Sequence, residues 1–151
     1  RKEEPFISKT NHFKDHNVLV KLYEDTLARS GASTTLEDSK ILKKLISLSQ
    51  TKSSDINCWV IEAYEKNSET LAGFQLLLGS KKSMYAIAQC AKSDYQKLNI
   101  NTFLTFESLL FSKLKGYKYF DFNGANSPNR ADEKHSYGAV PKSYFQITYK
   151  N

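Results

Sequence analysis

The sequence predicts a mixed α/β (α+β) fold: two N-terminal helices, an antiparallel meander, a crossover helix, a parallel central pair and a closing strand. Three observations predict it. Up to about residue 50, apolar residues recur at helical spacing. Three β-branched and aromatic runs follow, separated by short polar turns, which is the pattern of an antiparallel meander. The helical period then returns once before a fourth strand-like run. A strand, a helix and a strand in succession imply a parallel pair with a right-handed crossover.

The elements follow in order. Residues 1–14 are mixed in character, and Phe6 and Ile7 read as an edge strand within a leader. From Asp15 to Ser30 the stripe Val18, Leu19, Leu22, Tyr23, Thr26 and Leu27 is helical, and Gly31 stops it. Thr34 and Glu37 fit a Ser/Thr-x-x-Glu capping box ahead of a second helix, Leu36 to Ser49. The strand runs are Cys58 to Tyr64, Leu71 to Leu78 and Met84 to Ala91, with turns at 66–69 and 79–83. Lys92 to Leu98 reads as a loop. Ile100, Phe103, Leu104, Leu110, Phe111 and Leu114 then share one face of a helix from Asn99 to Lys115, with Gly116 at its C′ position. Tyr117 to Phe122 is a strand. Asn123 to Pro141 is a long polar loop, a length that marks functional loops. Ser143 to Tyr149 closes the chain as a final strand.

At 151 residues, 40% hydrophobic and 25% charged, the chain fits one globular domain. Whole-chain disorder is excluded, and no apolar run is long enough to span a bilayer. Cys58 and Cys90 lie inside apolar runs and read as buried free thiols, which points to a reducing, cytoplasmic home. Two cysteines and three scattered histidines make no metal-ligand spacing, so no metal is expected. The net charge is +6, but only Arg1, Arg29 and Arg130 of the 22 basic residues are arginines. Lysine is a point charge rather than a bidentate fork, which argues against a sequence-reading nucleic-acid domain.

Several residues stand out chemically. Asp121, between Phe120 and Phe122, alternates onto the face of Tyr117 and Tyr119, where it can orient or deprotonate an amine or brace the next turn. Glu107 falls inside the apolar helix face, so it must be paired, protonated or at the edge of a site. Asn123, Asn126, Ser127, Asn129 and Arg130 make a polar stretch suited to holding a substrate, and His135 is placed to shuttle a proton. There is no Ser-His-Asp ordering and no P-loop.

The order of elements is similar to that of GNAT acyltransferases. Leu109 to Asn126 (LLFSKLKGYKYFDFNGAN) resembles the helix–Gly–strand passage of FemAB-like aminoacyltransferases, which form peptidoglycan bridges. Lys134 to Gly138 (KHSYG) resembles that family's K-x-x-F-G element, with Tyr137 in place of Phe. The resemblance implies direct attack of an amine on an activated acyl or aminoacyl donor, with no covalent enzyme intermediate. It implies that Lys134 stabilises the oxyanion, and that Asp121 or Glu107 serves as acid or base. Asn123, Asn126, Arg130 and Tyr137 would hold the acceptor, a small molecule or a peptidoglycan precursor. Gln89, Cys90, Ala91 and Lys92 would receive the donor's amide arm as an added strand. The donor would be acyl-CoA or aminoacyl-tRNA, with no permanently bound cofactor.

Coenzyme-A-binding relatives use a Q/R-x-x-G-x-G/A loop for the pyrophosphate. Here the stretch is Gln96 to Asn101, and asparagine replaces both glycines. The absence of an initiating Met and the family's tandem habit imply a C-terminal-type domain with an N-terminal partner domain. Two further readings stand beside this one: a non-catalytic GNAT-like half-domain that is structural, supporting a partner domain, or binds a ligand, and RNA binding through the lysine surface.

Overall fold

The computed structural model describes residues 4–51, 57–124 and 128–143. Two compact units divide the chain, residues 1–121 and 122–151.

The first unit is built on a sheet in the order β1-β2-β3-β4-β5. β1 is Phe6–Thr10, and it pairs antiparallel with β2, Asn57–Glu65. β3 (Leu71–Ser80) and β4 (Ser83–Ala91) continue the antiparallel meander. β5 spans only Tyr119–Asp121 and runs parallel to β4. The expected crossover helix is α3, Ile100–Leu114. The expected closing strand at Ser143 to Tyr149 falls almost wholly outside the described residues.

The two N-terminal helices are α1, His16–Arg29, and α2, Leu36–Ser49. Asp15 caps α1 by accepting from the Asn17 N–H. The capping box of α2 sits one residue later than the sequence pattern suggested: Thr35 and Asp38 form it, not Thr34 and Glu37. The Thr35 N–H and hydroxyl both donate to Asp38 Oδ2 and hold its carboxyl below the usual range.

Apolar burial divides by sheet face. Leu19 and Leu22 of α1 and Leu42 and Ile46 of α2 pack on Val60, Phe74, Leu76 and Cys90. On the other face, Ile100 and Leu104 of α3 pack on Phe6, Ala63, Ala72 and Ala91. Ile61, Leu77 and Met84 extend that layer with Phe111, Tyr117 and Phe120. Tyr117 therefore shares a face with Phe120, contrary to the expected alternation, because the strand starts only at Tyr119.

The face of α3 also departs from expectation. Thr105, Ser108 and Ser112 are buried with Ile100 and Leu104, whereas Leu110 and Leu114 face outward. Small side chains let the helix approach the sheet closely. The sheet answers with Gly73, where an added Cβ would stand 2.6 Å from the Cys90 carbonyl oxygen. Gly116 ends α3 with φ +82°, and the Tyr117 N–H reaches back to the Ser112 carbonyl, a Schellman closure that favours glycine.

Between β1 and α1 a buried carboxylate organises the backbone. Glu62 on β2 is fully buried. Its Oε1 accepts from the His12 N–H at 2.7 Å and the Phe13 N–H at 3.2 Å, and its Oε2 accepts from the Tyr64 hydroxyl at 2.5 Å. Three donors offset the desolvation of one carboxylate. Burial, followed by the Glu62 hydrogen bond, raises the Tyr64 phenol above its ordinary value.

The second unit contains α4, Pro128–Ser136, inside the stretch expected to be a loop. Its composition (PNRADEKHS) is polar all round, so no apolar stripe announced a helix. The signals were a proline at the first position and Gly138 two residues past the end. The Gly138 N–H donates to His135 O and the Ala139 N–H to Lys134 O, another Schellman closure, with φ +79° at Gly138.

Candidate functional site

The geometry of interest lies where β4 and β5 part. Their ladder holds Ser83 to Tyr119, Met84 to Phe120 and Tyr85 to Asp121. β5 ends there, while β4 runs six residues further beside β3. The same stretch of β4 carries a bulge. Leu76 pairs with Ala88 and Leu77 with Ala86, so Ile87 is an extra residue. An extra residue flips every later side chain to the other face. Met84 and Ala86 accordingly pack on the α3 side, whereas Ala88 and Cys90 pack on the α1/α2 side.

The register also fixes where the backbone points. The Lys92 N–H donates to the Ala72 carbonyl at 2.8 Å. Antiparallel strands alternate, so Cys90 directs its peptide groups toward β3, and Gln89 and Ala91 direct theirs away from it, toward the parted edge.

Each residue expected to receive a donor has a definite place here. Gln89 turns its side chain to α3, donating from Nε2 to Asn101 O and to Thr105 Oγ1, both at 3.0 Å. Cys90 is buried against α1, and burial pushes its thiol up to about 12, partly offset by the Thr26 hydroxyl and the Arg29 charge. The Ala91 carbonyl accepts from Arg29 Nη2, which also donates to Thr26 Oγ1 at 3.1 Å. Lys92 follows, joined through its backbone to β3.

The segment expected to be a loop is a 3₁₀ helix, Ser93–Leu98. Asn99 then takes the left-handed conformation, φ +60°, as the N-cap of α3, with no side-chain cap bond. Asparagine tolerates that conformation better than other non-glycine residues. The first intrahelical bond runs from the Phe103 N–H to Asn99 O. The N–H groups of Ile100, Asn101 and Thr102 therefore have no intrahelical acceptor, and the helix dipole favours an anion beside them.

The expected acid–base residues are far apart in the sheet. Asp121 is exposed at the end of β5, opposite Tyr85 and at the mouth of the parting. Glu107 is half-buried on α3 and accepts a hydrogen bond from Ser8 of β1, the strand at the other end of the sheet order.

In the second unit, Lys134 lies in the last turn of α4, and its ammonium donates to the carbonyls of Asn123 and Gly124. Lys134 and Asn123 are thus brought together. Tyr137 stacks on Phe122, centroids 6.0 Å apart and planes at 20°. His135 Nδ1 lies 3.0 Å from Ala139 O, within the helix cap. Arg130 is on α4, and Asn126 lies outside the described residues.

Three features escaped the pattern reading: the Ile87 bulge, the Arg29 clamp on Ala91 and the placement of Tyr85 opposite Asp121. A one-residue bulge leaves the apolar pattern of MYAIAQCA unchanged. Arg29 had a usable signal, as one of only three arginines in a lysine-rich chain.

No protein-family model and no curated protein sequence matches the chain. Solved structures match its fold. A GNAT family acetyltransferase from Staphylococcus aureus is 16% identical with a TM-score of 0.62, covering 96% of this chain and 99% of that one. An aminoglycoside acetyltransferase from an uncultured soil metagenomic sample, in complex with sisomicin, is 16% identical with a TM-score of 0.63, covering 97% and 96%. Glucosamine-6-phosphate N-acetyltransferase from Arabidopsis thaliana is 13% identical with a TM-score of 0.63, covering 97% and 99%. The fold is that of the GNAT acetyltransferases, as the order of elements implied.

Proposed function

We propose that this chain is an acyltransferase that passes an activated acyl group to the amine of a small-molecule acceptor. The observation that carries the proposal is the parting of β4 from β5 after the Tyr85–Asp121 pair. It leaves the peptide groups of Gln89 and the N–H of Ala91, whose carbonyl Arg29 holds, directed at an edge where a donor's amide arm can pair as a short strand. The N-terminus of α3, which Gln89 reaches through the Asn101 carbonyl, is suited to a donor's phosphates. Acyl-CoA fits this arrangement. The asparagines at 99 and 101 stand where glycines would give closer backbone approach, so we expect weak affinity for it.

In this reading the acceptor nitrogen attacks the donor carbonyl carbon. The C–N bond forms, the tetrahedral oxyanion collapses, and the bond to the leaving thiolate or ribose oxygen breaks. The ammonium proton passes to Asp121, directly or through water. Asp121 is preferred to Glu107 because it stands at the mouth of the parting, whereas Glu107 stands against Ser8. Lys134 fixes the Asn123–Gly124 turn within the second unit, and its oxyanion role is what the KHSYG resemblance implies. Aminoacyl-tRNA, the donor implied by the FemAB-like motifs, is the finer alternative.

Calorimetric and thermal-shift titration against acetyl-CoA and charged tRNA tests the proposal, because a ligand selective for the native state raises stability by mass action. Stabilisation by acetyl-CoA supports the acyl-CoA reading, and stabilisation by charged tRNA alone supports the aminoacyl reading. Silence from both would overturn the proposal in favour of a non-catalytic half-domain.

A further inference from the structure

At the end of the sheet away from the Gln89–Ala91 edge, the first unit concentrates lysine. The β3–β4 turn supplies Lys81 and Lys82, and the C-terminal end of α3 supplies Lys113 and Lys115. Lys118 joins them, since its N–H and that of Tyr119 both donate to the Lys82 carbonyl, at 2.9 and 3.1 Å. All five side chains are exposed. No Asp or Glu occurs from residue 70 to 93 or from 108 to 120, stretches bounded by Glu69 and Asp94 and by Glu107 and Asp121.

An apolar ridge runs into this cluster. Phe106, Leu110 and Leu114 follow one another at four-residue spacing on α3 and are 54%, 43% and 85% exposed. Leu114 sits between Lys113 and Lys115 in sequence. A solvated helix face has no use for three large apolar side chains in a row.

We propose that this end of the molecule docks on an anionic lipid surface. The charge is complementary to such a surface, and the apolar ridge supplies what a merely ionic contact lacks. Lysine suits the task, because its apolar stem lies along the acyl boundary while its ammonium reaches the headgroups. RNA fits less well. RNA-binding surfaces favour arginine planes and open aromatic faces. This patch has no arginine, and the two rings beside its lysines each already face an ammonium: Lys115 Nζ lies over Phe111 and Lys118 Nζ over Tyr119, each 5.4 Å from the centroid. The inference is independent of the acyl-transfer reading.

The test is co-sedimentation of the full chain with vesicles of phosphatidylcholine alone and with about a third phosphatidylglycerol. Binding is expected only to the anionic vesicles, and it should fall steeply as salt rises from about 0.1 to 0.5 M, where the Debye length shrinks below about 10 Å. Each lysine near an anionic surface is worth about a fivefold change in partition. Lys82→Gln with Lys118→Gln should therefore weaken binding about 30-fold. Leu114→Ser should weaken it about tenfold at constant charge. All three positions are exposed, and circular dichroism checks that the fold persists. No binding, equal binding to neutral vesicles, or binding to a short RNA in place of vesicles would overturn the proposal. So would a dimer in solution that Leu114→Ser dissociates, which would assign the ridge to a second copy of the chain.

Discussion

Gln89 and Thr105 are joined by a 3.0 Å hydrogen bond from Nε2 to Oγ1, and the same amide also holds the Asn101 carbonyl at 3.0 Å. One side chain thus ties the parted end of β4 to the first turn and a half of α3. These are the two elements that the proposed donor site requires to be in register.

Gln89→Ala removes both bonds. The loss should lower stability by about 1–3 kcal/mol, measured by urea unfolding. It should raise KM for the donor several-fold with a smaller effect on kcat, because the lost interaction positions a binding edge rather than a reacting atom.

Glu62 offers a sharper stability test. Glu62→Leu would leave the His12 and Phe13 N–H groups and the Tyr64 hydroxyl without their acceptor. A loss of about 3 kcal/mol or more is expected, with Glu62→Gln costing less because it retains one acceptor oxygen. Equal unfolding midpoints for the two variants would contradict this account.

The buried thiols and phenols set an alkaline limit. Cys90 ionises near 9.0 when unfolded, and burial pushes it up to about 12 in the fold; burial also raises Cys58. The raised groups are neutral in the native state, so their stabilisation is whole below about pH 9. It is lost as pH rises, because the unfolded chain releases the protons first. Stability should therefore decline between pH 9 and 12, and Cys90→Ala should flatten that decline. In the native state at pH 7, both thiols should react slowly with a thiol reagent.

Lys134→Ala should lower kcat/KM for acyl transfer by about 100-fold or more while leaving the first unit folded. Lys134→Arg should recover part of the rate. An unchanged rate, or loss of the whole fold, would remove Lys134 from the mechanism.

Gly79 shows how tightly the meander packs against the segment that follows α3. A Cβ there would come within 2.7 Å of Trp59 Cζ3 and overlap the Tyr117 ring. Gly79→Ala should destabilise by about 1–3 kcal/mol, the range for overpacking, read as a lower melting temperature.

Much of the fold was legible because its signals are periodic. Leu36 to Ser49 and the three meander strands carry patterns that local chemistry alone can set, and the structure places them within a few residues of expectation. Two kinds of element were not legible. α4 has no apolar face, so only its caps betray it. The outward Leu110 and Leu114 mislead because an apolar residue at helical spacing reads as core whether or not anything covers it. At the candidate site the limit was tertiary. Asp121 and Glu107 look alike as acids in sequence, and only strand order places one at the parting and the other beside Ser8.

The most direct test of the central claim is backbone amide NMR of Gln89 and Ala91 during titration with acetyl-CoA. The account predicts saturable shifts at these two amides and slowed hydrogen exchange, as an added strand pairs with the side of β4 that faces away from β3. Saturable binding that leaves both amides unchanged would place the donor elsewhere and contradict the account.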